Sequence, residues 1–60
     1  MPSNVRFAEV RKLLESKGYV LAQISGSHHV FKKAGVAPQV VPVHRNQVKY
    51  VYYRQAQKAP

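Results

Sequence analysis

Sixty residues that carry ten Lys and Arg against two acidic side chains, with no cysteine, have a net charge of +8. That balance excludes a disulfide scaffold and any thiolate metal centre, and no apolar run approaches the ~20 residues that cross a bilayer. A chain this short forms a single domain, residues 1–60, and buries only roughly 60% of the surface it exposes when unfolded, so its stability is marginal. The opening "MPSNVRFAEV" lacks the charged-then-apolar pattern of a signal segment. The expectation is a soluble cytoplasmic protein. Both acids, Glu9 and Glu15, lie in the first quarter, and the later cations Lys17, Lys32, Lys33, Arg45, Lys49, Arg54 and Lys58 face no acidic side chain after them. Such a surface attracts polyanions through counterion release. Nucleic acid is the first candidate partner, ahead of an acidic protein and of a membrane surface.

Residues 5–17 read as a helix, with Phe7, Val10, Leu13 and Leu14 at helical spacing. Ser3 or Asn4 is placed to cap its start, and Gly18 stands where a left-handed residue ends a helix. Tyr19 would then fold back on Leu14. Residues 19–25, 28–33 and 39–44 read as strands, divided by "SGS" and "AGVAP" turns. Alternation puts His28, Val30 and Lys32 on one face of the second strand and His29, Phe31 and Lys33 on the other. Pro42 cannot donate to a ladder, so the third strand belongs at an edge or ends near there. Residues 45–59 read as a closing helix capped by Asn46, with Val48, Val51, Tyr52, Gln55, Ala56 and Ala59 inward and Tyr50 and Tyr53 outward or at a rim. Tyr50, Tyr52 and Tyr53 also admit base stacking on RNA, beside core packing for Tyr52 and partner contact for Tyr50 or Tyr53.

The predicted fold is α+β, a small two-layer domain of order α-β-β-β-α. Short turns imply a three-stranded antiparallel sheet with both helices on one face. Phe31, Val41 and Val43 then point toward the helices, His28 lies on the open face, and His29 turns toward the helical layer.

His28, His29 and His44 admit four readings. A metal site is disfavoured because adjacent strand residues point to opposite faces and no carboxylate or thiolate lies near. A Ser27–His28 nucleophile lacks both an orienting acid and a strand-to-helix elbow. General acid–base chemistry on RNA requires neither. The 2′-OH is the substrate's own nucleophile, histidine as a residue type exchanges protons near neutral pH, and Lys or Arg can neutralise the phosphate. The fourth reading gives the histidines no chemistry at all, and the residues alone leave it open.

The succession "LLESKGY", "GSHHVFKK" and "VVPVH" followed by a final helix resembles the HicA family of bacterial toxins, small messenger-RNA interferases of toxin–antitoxin modules. The resemblance covers about residues 5–58. It implies a double-stranded-RNA-binding-domain-like fold, metal-independent cleavage of messenger RNA with no cofactor, and a cognate HicB antitoxin that covers the active surface. It also implies that the histidine directly after Gly-Ser, here His28, carries the activity. After "VVPVH" the chain departs from the commoner pattern, continuing "RNQVKYVYYRQAQKAP" where many members have a Lys-Glu or Gly-Thr-Leu-rich helix start.

On this reading His28 is the general acid or base of a metal-free endoribonuclease, and His44 is a second acid–base group that nears it across the sheet. Lys32, on the same strand face, touches phosphate, as do Arg45 and Lys49 at the start of the last helix. Ser27 orients the substrate or the histidine, or serves only its turn. His29 packs. The free chain is expected to be a monomer with no membrane partner. The alternative function is a non-catalytic, basic RNA-binding module.

Overall fold

The computed structural model describes residues 3–60. In chain order the elements are β1 (Asn4–Arg6), α1 (Phe7–Ser16), β2 (Val20–Ser25), β3 (His28–Lys32), β4 (Gln39–Pro42), β5 (Gln47–Lys49) and α2 (Tyr50–Lys58). β2, β3 and β4 form the expected three-stranded antiparallel sheet, with β3 central and β4, carrying Pro42, at an edge. The expected two-layer α+β arrangement holds. Val10 and Leu14 of α1 and Ala56 of α2 share one core with Phe31 and Val41 of the sheet. None of the helices is long and apolar enough to cross a membrane among the described residues.

α1 forms because its apolar residues recur every three to four positions, burying Val10 and Leu14 completely. It ends as the sequence predicts. Gly18 adopts φ +94, its N–H donates to the Glu15 carbonyl at 3.0 Å, and the Tyr19 N–H donates to the Leu14 carbonyl at 3.0 Å. These are the two bonds of a Schellman ending. Tyr19 is buried in the same core as Leu14.

The largest departure from expectation is a second sheet. β1 and β5 pair antiparallel, Asn4 opposite Lys49, Val5 opposite Val48 and Arg6 opposite Gln47. Helix α1 therefore starts at Phe7 rather than residue 5, and the last helix starts at Tyr50 rather than residue 45. Val48 is buried, as expected of an inward residue, but it reaches the core from a strand. The later start rephases α2: Val51 and Gln55 point to solvent, whereas Tyr52, Tyr53, Ala56 and Ala59 meet the core. Between β4 and β5, Arg45 and Asn46 form a tight turn with φ of +53 and +62, closed by reciprocal bonds between the His44 and Gln47 backbones at 2.9 and 2.8 Å. Positive φ at both central residues is the type I′ pattern, whose twist suits a two-residue hairpin.

The predicted caps are exchanged between the helices. The N-cap residues are Arg6 and Lys49, neither with a side-chain cap bond. The first helical N–H groups are satisfied across the ribbon instead. Phe7 donates to the Asn46 carbonyl at 2.8 Å, and Tyr50 donates to the Ser3 carbonyl at 2.9 Å. Ser3 and Asn46 thus cap the opposite helix from the one expected, and with the main chain, because pairing β1 with β5 lays each strand's flanking carbonyl over the other strand's helix start.

Two lysines hold the far end together. Lys17 Nζ donates to the carbonyls of Gln57 and Ala59 at 2.6 and 2.7 Å, and Lys33 Nζ donates to the Pro60 carbonyl at 3.3 Å. These cations complement the negative end of α2. Lys17→Met, which keeps the aliphatic stem, should therefore lower stability by about 1–2 kcal/mol, read as a fall in urea midpoint at constant m-value. An unchanged midpoint would mean that the two bonds contribute nothing. Phe31→Ala, which empties a fully buried position between the layers, should cost about 3–5 kcal/mol and leave the chain largely unfolded by circular dichroism.

Candidate functional site

The β2–β3 hairpin presents the first site residue. Gly26, with φ +59, takes the first central position of the turn, and Ser27 the second. The strand that follows alternates as predicted. His28 is exposed on the open face, opposite Ser25 on β2 and Pro42 on β4. His29 points the other way, half-buried, with its ring centroid 4.7 Å from that of Phe7 on α1. His29 Nδ1 lies 3.2 Å from the Ser27 carbonyl oxygen. A carbonyl only accepts, so Nδ1 carries the hydrogen.

Ser27 acts through its backbone: the same carbonyl accepts from the Val43 N–H at 2.7 Å, extending the pairing of β3 and β4 past Pro42. The ladder goes no further: β4 ends at Pro42, and His44, two residues on, is bridged to Gln47 across the tight turn.

His44 also lines a hollow of about 490 Å³ between β4 and the β1–β5 ribbon, together with Pro42, Arg45 and Lys49. Asn4, Gln47 and Tyr52 complete the wall. Three of the sequence-predicted residues, His44, Arg45 and Lys49, therefore converge, and Pro42 joins their hollow to His28. Their setting differs from the expected one. Arg45 sits in the tight turn and Lys49 is the last strand residue, not the first turn of a helix. Arg45 forms a ridge, since it also lines a shallower hollow with Arg6, Phe7 and Ala8 at the start of α1. A left-handed backbone costs a residue with a Cβ roughly 1–2 kcal/mol. Asn46 belongs to the type that tolerates it, whereas Arg45 does not.

Lys32 shares the face of His28 but stands four residues along β3, opposite Val20. At about 3.3 Å per residue the two are roughly 13 Å apart, so they do not meet at one phosphate. Between them the open face carries Val30 paired with Val40.

The site's electrostatics are one-sided. Both acidic side chains of the chain are on α1, and Glu15 is paired with Arg11 at 3.2 Å. No carboxylate lines the hollow. Among the described residues, no three of His, Asp and Glu gather closely enough to hold a metal ion.

Asn4 and Gln47 were not legible as site residues. Asn4 reads as a helix cap and Gln47 as a helix interior until β1 and β5 pair. The available signal was Arg45-Asn46 between His44 and Gln47, a two-residue hairpin turn weaker in sequence than Asn-Gly.

A family model described as the HicA toxin of bacterial toxin–antitoxin modules matches residues 7–57. No curated protein and no solved structure matches the chain significantly. The matched span runs from the first residue of α1 almost to the end of α2 and includes the hairpin with His28 and the whole hollow except Asn4. The chain belongs to the HicA toxin family.

Proposed function

We propose that this toxin is a metal-independent endoribonuclease acting on messenger RNA, held silent by a HicB-like antitoxin that covers the open sheet face. A toxin of such a module has a cognate antitoxin; the RNA target and the chemistry are the proposal. The observation that carries it is the placement of His28, exposed on the open face and one strand pairing away from a hollow whose charged lining is entirely cationic. The α-β-β-β-α core suits a double-stranded-RNA-binding-domain-like relationship, and the exposed sheet face suits a monomer that receives single-stranded or unpaired RNA in the cytoplasm.

The chemistry balances without a co-reactant. The 2′-OH oxygen attacks the adjacent phosphorus, the bond from phosphorus to the 5′-oxygen breaks, and the products are a 2′,3′-cyclic phosphate and a free 5′-OH. One proton leaves the 2′-OH and one arrives at the 5′-oxygen. His28 moves one of them, and His44, two residues past the Pro42 that pairs with His28, moves the other. Arg45 and Lys49 stabilise the charge that grows on the phosphoryl oxygens. Lys32 meets a phosphate farther along the strand. Ser27 fixes the hairpin that presents His28, its carbonyl bound to Val43 and His29.

His28→Ala should lower cleavage of a messenger RNA by about 10²–10⁴-fold while the melting temperature stays within the range of a neutral surface change. Equal cleavage by a folded variant would remove His28 from the mechanism. Binding without any cleavage by the unaltered chain would leave only a basic RNA-binding module. Cleavage should persist in excess EDTA; loss of activity that a divalent ion restores would overturn the metal-free chemistry.

Arg45→Gly separates strain from function. It should raise stability by relieving the left-handed backbone at φ +53, by up to about 1 kcal/mol. It should also weaken RNA binding and reduce the salt dependence of log K by about 0.7 for one lost phosphate contact. An unchanged salt slope would show that Arg45 does not touch the RNA backbone.

A further inference from the structure

Phosphate neutralisation uses the cations of the hollow and leaves the rest of its wall without a role. Besides Pro42 and His44, that remainder is two carboxamides and one aromatic ring, Asn4, Gln47 and Tyr52. Alternation along the ribbon explains their placement. Val5 and Val48 face inward as a pair, so Asn4, Gln47 and Lys49 share the outward face. Asn4 Nδ2 donates to Gln47 Oε1 at 3.1 Å, a bond between residues 43 positions apart in the chain.

The bond does more than join two strands. It couples the two amides, Asn4 offering its nitrogen and Gln47 its oxygen. Asn4 Oδ1 is left as an acceptor and Gln47 Nε2 as a donor. An acceptor beside a donor is the complement of a nucleobase edge, which presents its own donors and acceptors in a set pattern. Tyr52 is half-buried in the same wall, and an aromatic ring there supplies a face on which a base can stack. At about 490 Å³ the hollow falls within the size range of small-ligand sites, roughly 300–1,000 Å³.

We propose that this hollow is a base-reading subsite: it takes one unpaired nucleotide next to the phosphate at His28, with Tyr52 against the base and the Asn4–Gln47 amide pair on its edge. The inference rests on the RNA reading above and adds the origin of sequence preference. Arg45 and Lys49 hold the backbone of whichever nucleotide enters, and the amide pair selects among bases.

The test is fluorescence anisotropy with four labelled tetraribonucleotides, each of a single base, on the chain carrying His28→Ala so that the RNA stays intact. One tetranucleotide should bind about tenfold more tightly than the weakest, the order of discrimination that a paired hydrogen-bonding edge provides. Adding Gln47→Ala should compress that spread to about twofold, and Asn4→Ala, which removes the partner that orients Gln47, should do the same. Both positions are exposed, and an unchanged circular dichroism spectrum confirms that each variant is folded. Equal binding of all four to the parent chain, no binding of any, or a spread that survives both substitutions would overturn the subsite. Cleavage of a messenger RNA by the unaltered chain is measured alongside. A chain that cuts yet binds all four alike keeps the ribonuclease and loses the subsite. One that discriminates yet never cuts keeps the subsite and loses the ribonuclease.

Discussion

The antiparallel pairing of three residues near the start of the chain with three residues before the last helix is the constraint on which the remaining architecture depends. Arg6 and Lys49, the two N-cap residues, bring no side-chain acceptor to their helices, and a helix start buried without a partner is costly. Pairing β1 with β5 removes that cost at both helices together, since each strand's flanking carbonyl meets the other helix's first N–H. The same pairing carries Val5 and Val48 to the core side. It places α1 and α2 next to each other over one face of the main sheet.

The two sides of that sheet divide the chemistry. Inward, Phe31 and Val41 are sealed by the helices, and His29 is absorbed into the layer against Phe7. Outward, His28 stands free on a surface of small apolar side chains with Lys32 at its far end. The net charge of +8 divides in a similar way. Lys17 and Lys33 bind backbone carbonyls near the end of α2, and Arg11 is paired with Glu15. Arg45 and Lys49 instead line the hollow, so a few cations, rather than the total, define the proposed polyanion site.

The proposed site draws its parts from two substructures. The β2–β3 hairpin delivers His28, and the β1–β5 ribbon delivers cations, amides and the rim of the hollow. They meet at Pro42, where β4 pairs with β3 and the chain then turns into the ribbon. Arg45 marks the junction, a long cationic side chain on a backbone conformation that its residue type disfavours. Strain of this kind persists only where surrounding structure over-determines it, and such places cluster at functional sites.

How much of this the chain announces depends on the range over which each feature is decided. The α1 stripe, the Schellman ending at Gly18, the Gly26-Ser27 hairpin and the opposite facing of His28 and His29 are settled by helical period, a glycine's φ or strand alternation, all within a few residues. They were legible for that reason. β1 and β5 are three residues each, too short to show a period, and they exist only because each supplies the other's hydrogen bonds from more than forty residues away. Without the pairing, Asn4 reads as a cap, residues 45–49 read as helix, and Val51 reads as core. By itself, then, the sequence determined a basic α+β domain with one histidine presented on an open sheet. The tertiary structure alone decided that Asn4, Gln47, Lys49 and Tyr52 share a hollow with Arg45 and His44, because long-range strand pairing has no local signature in a chain whose two partners are each a single turn of the pleat.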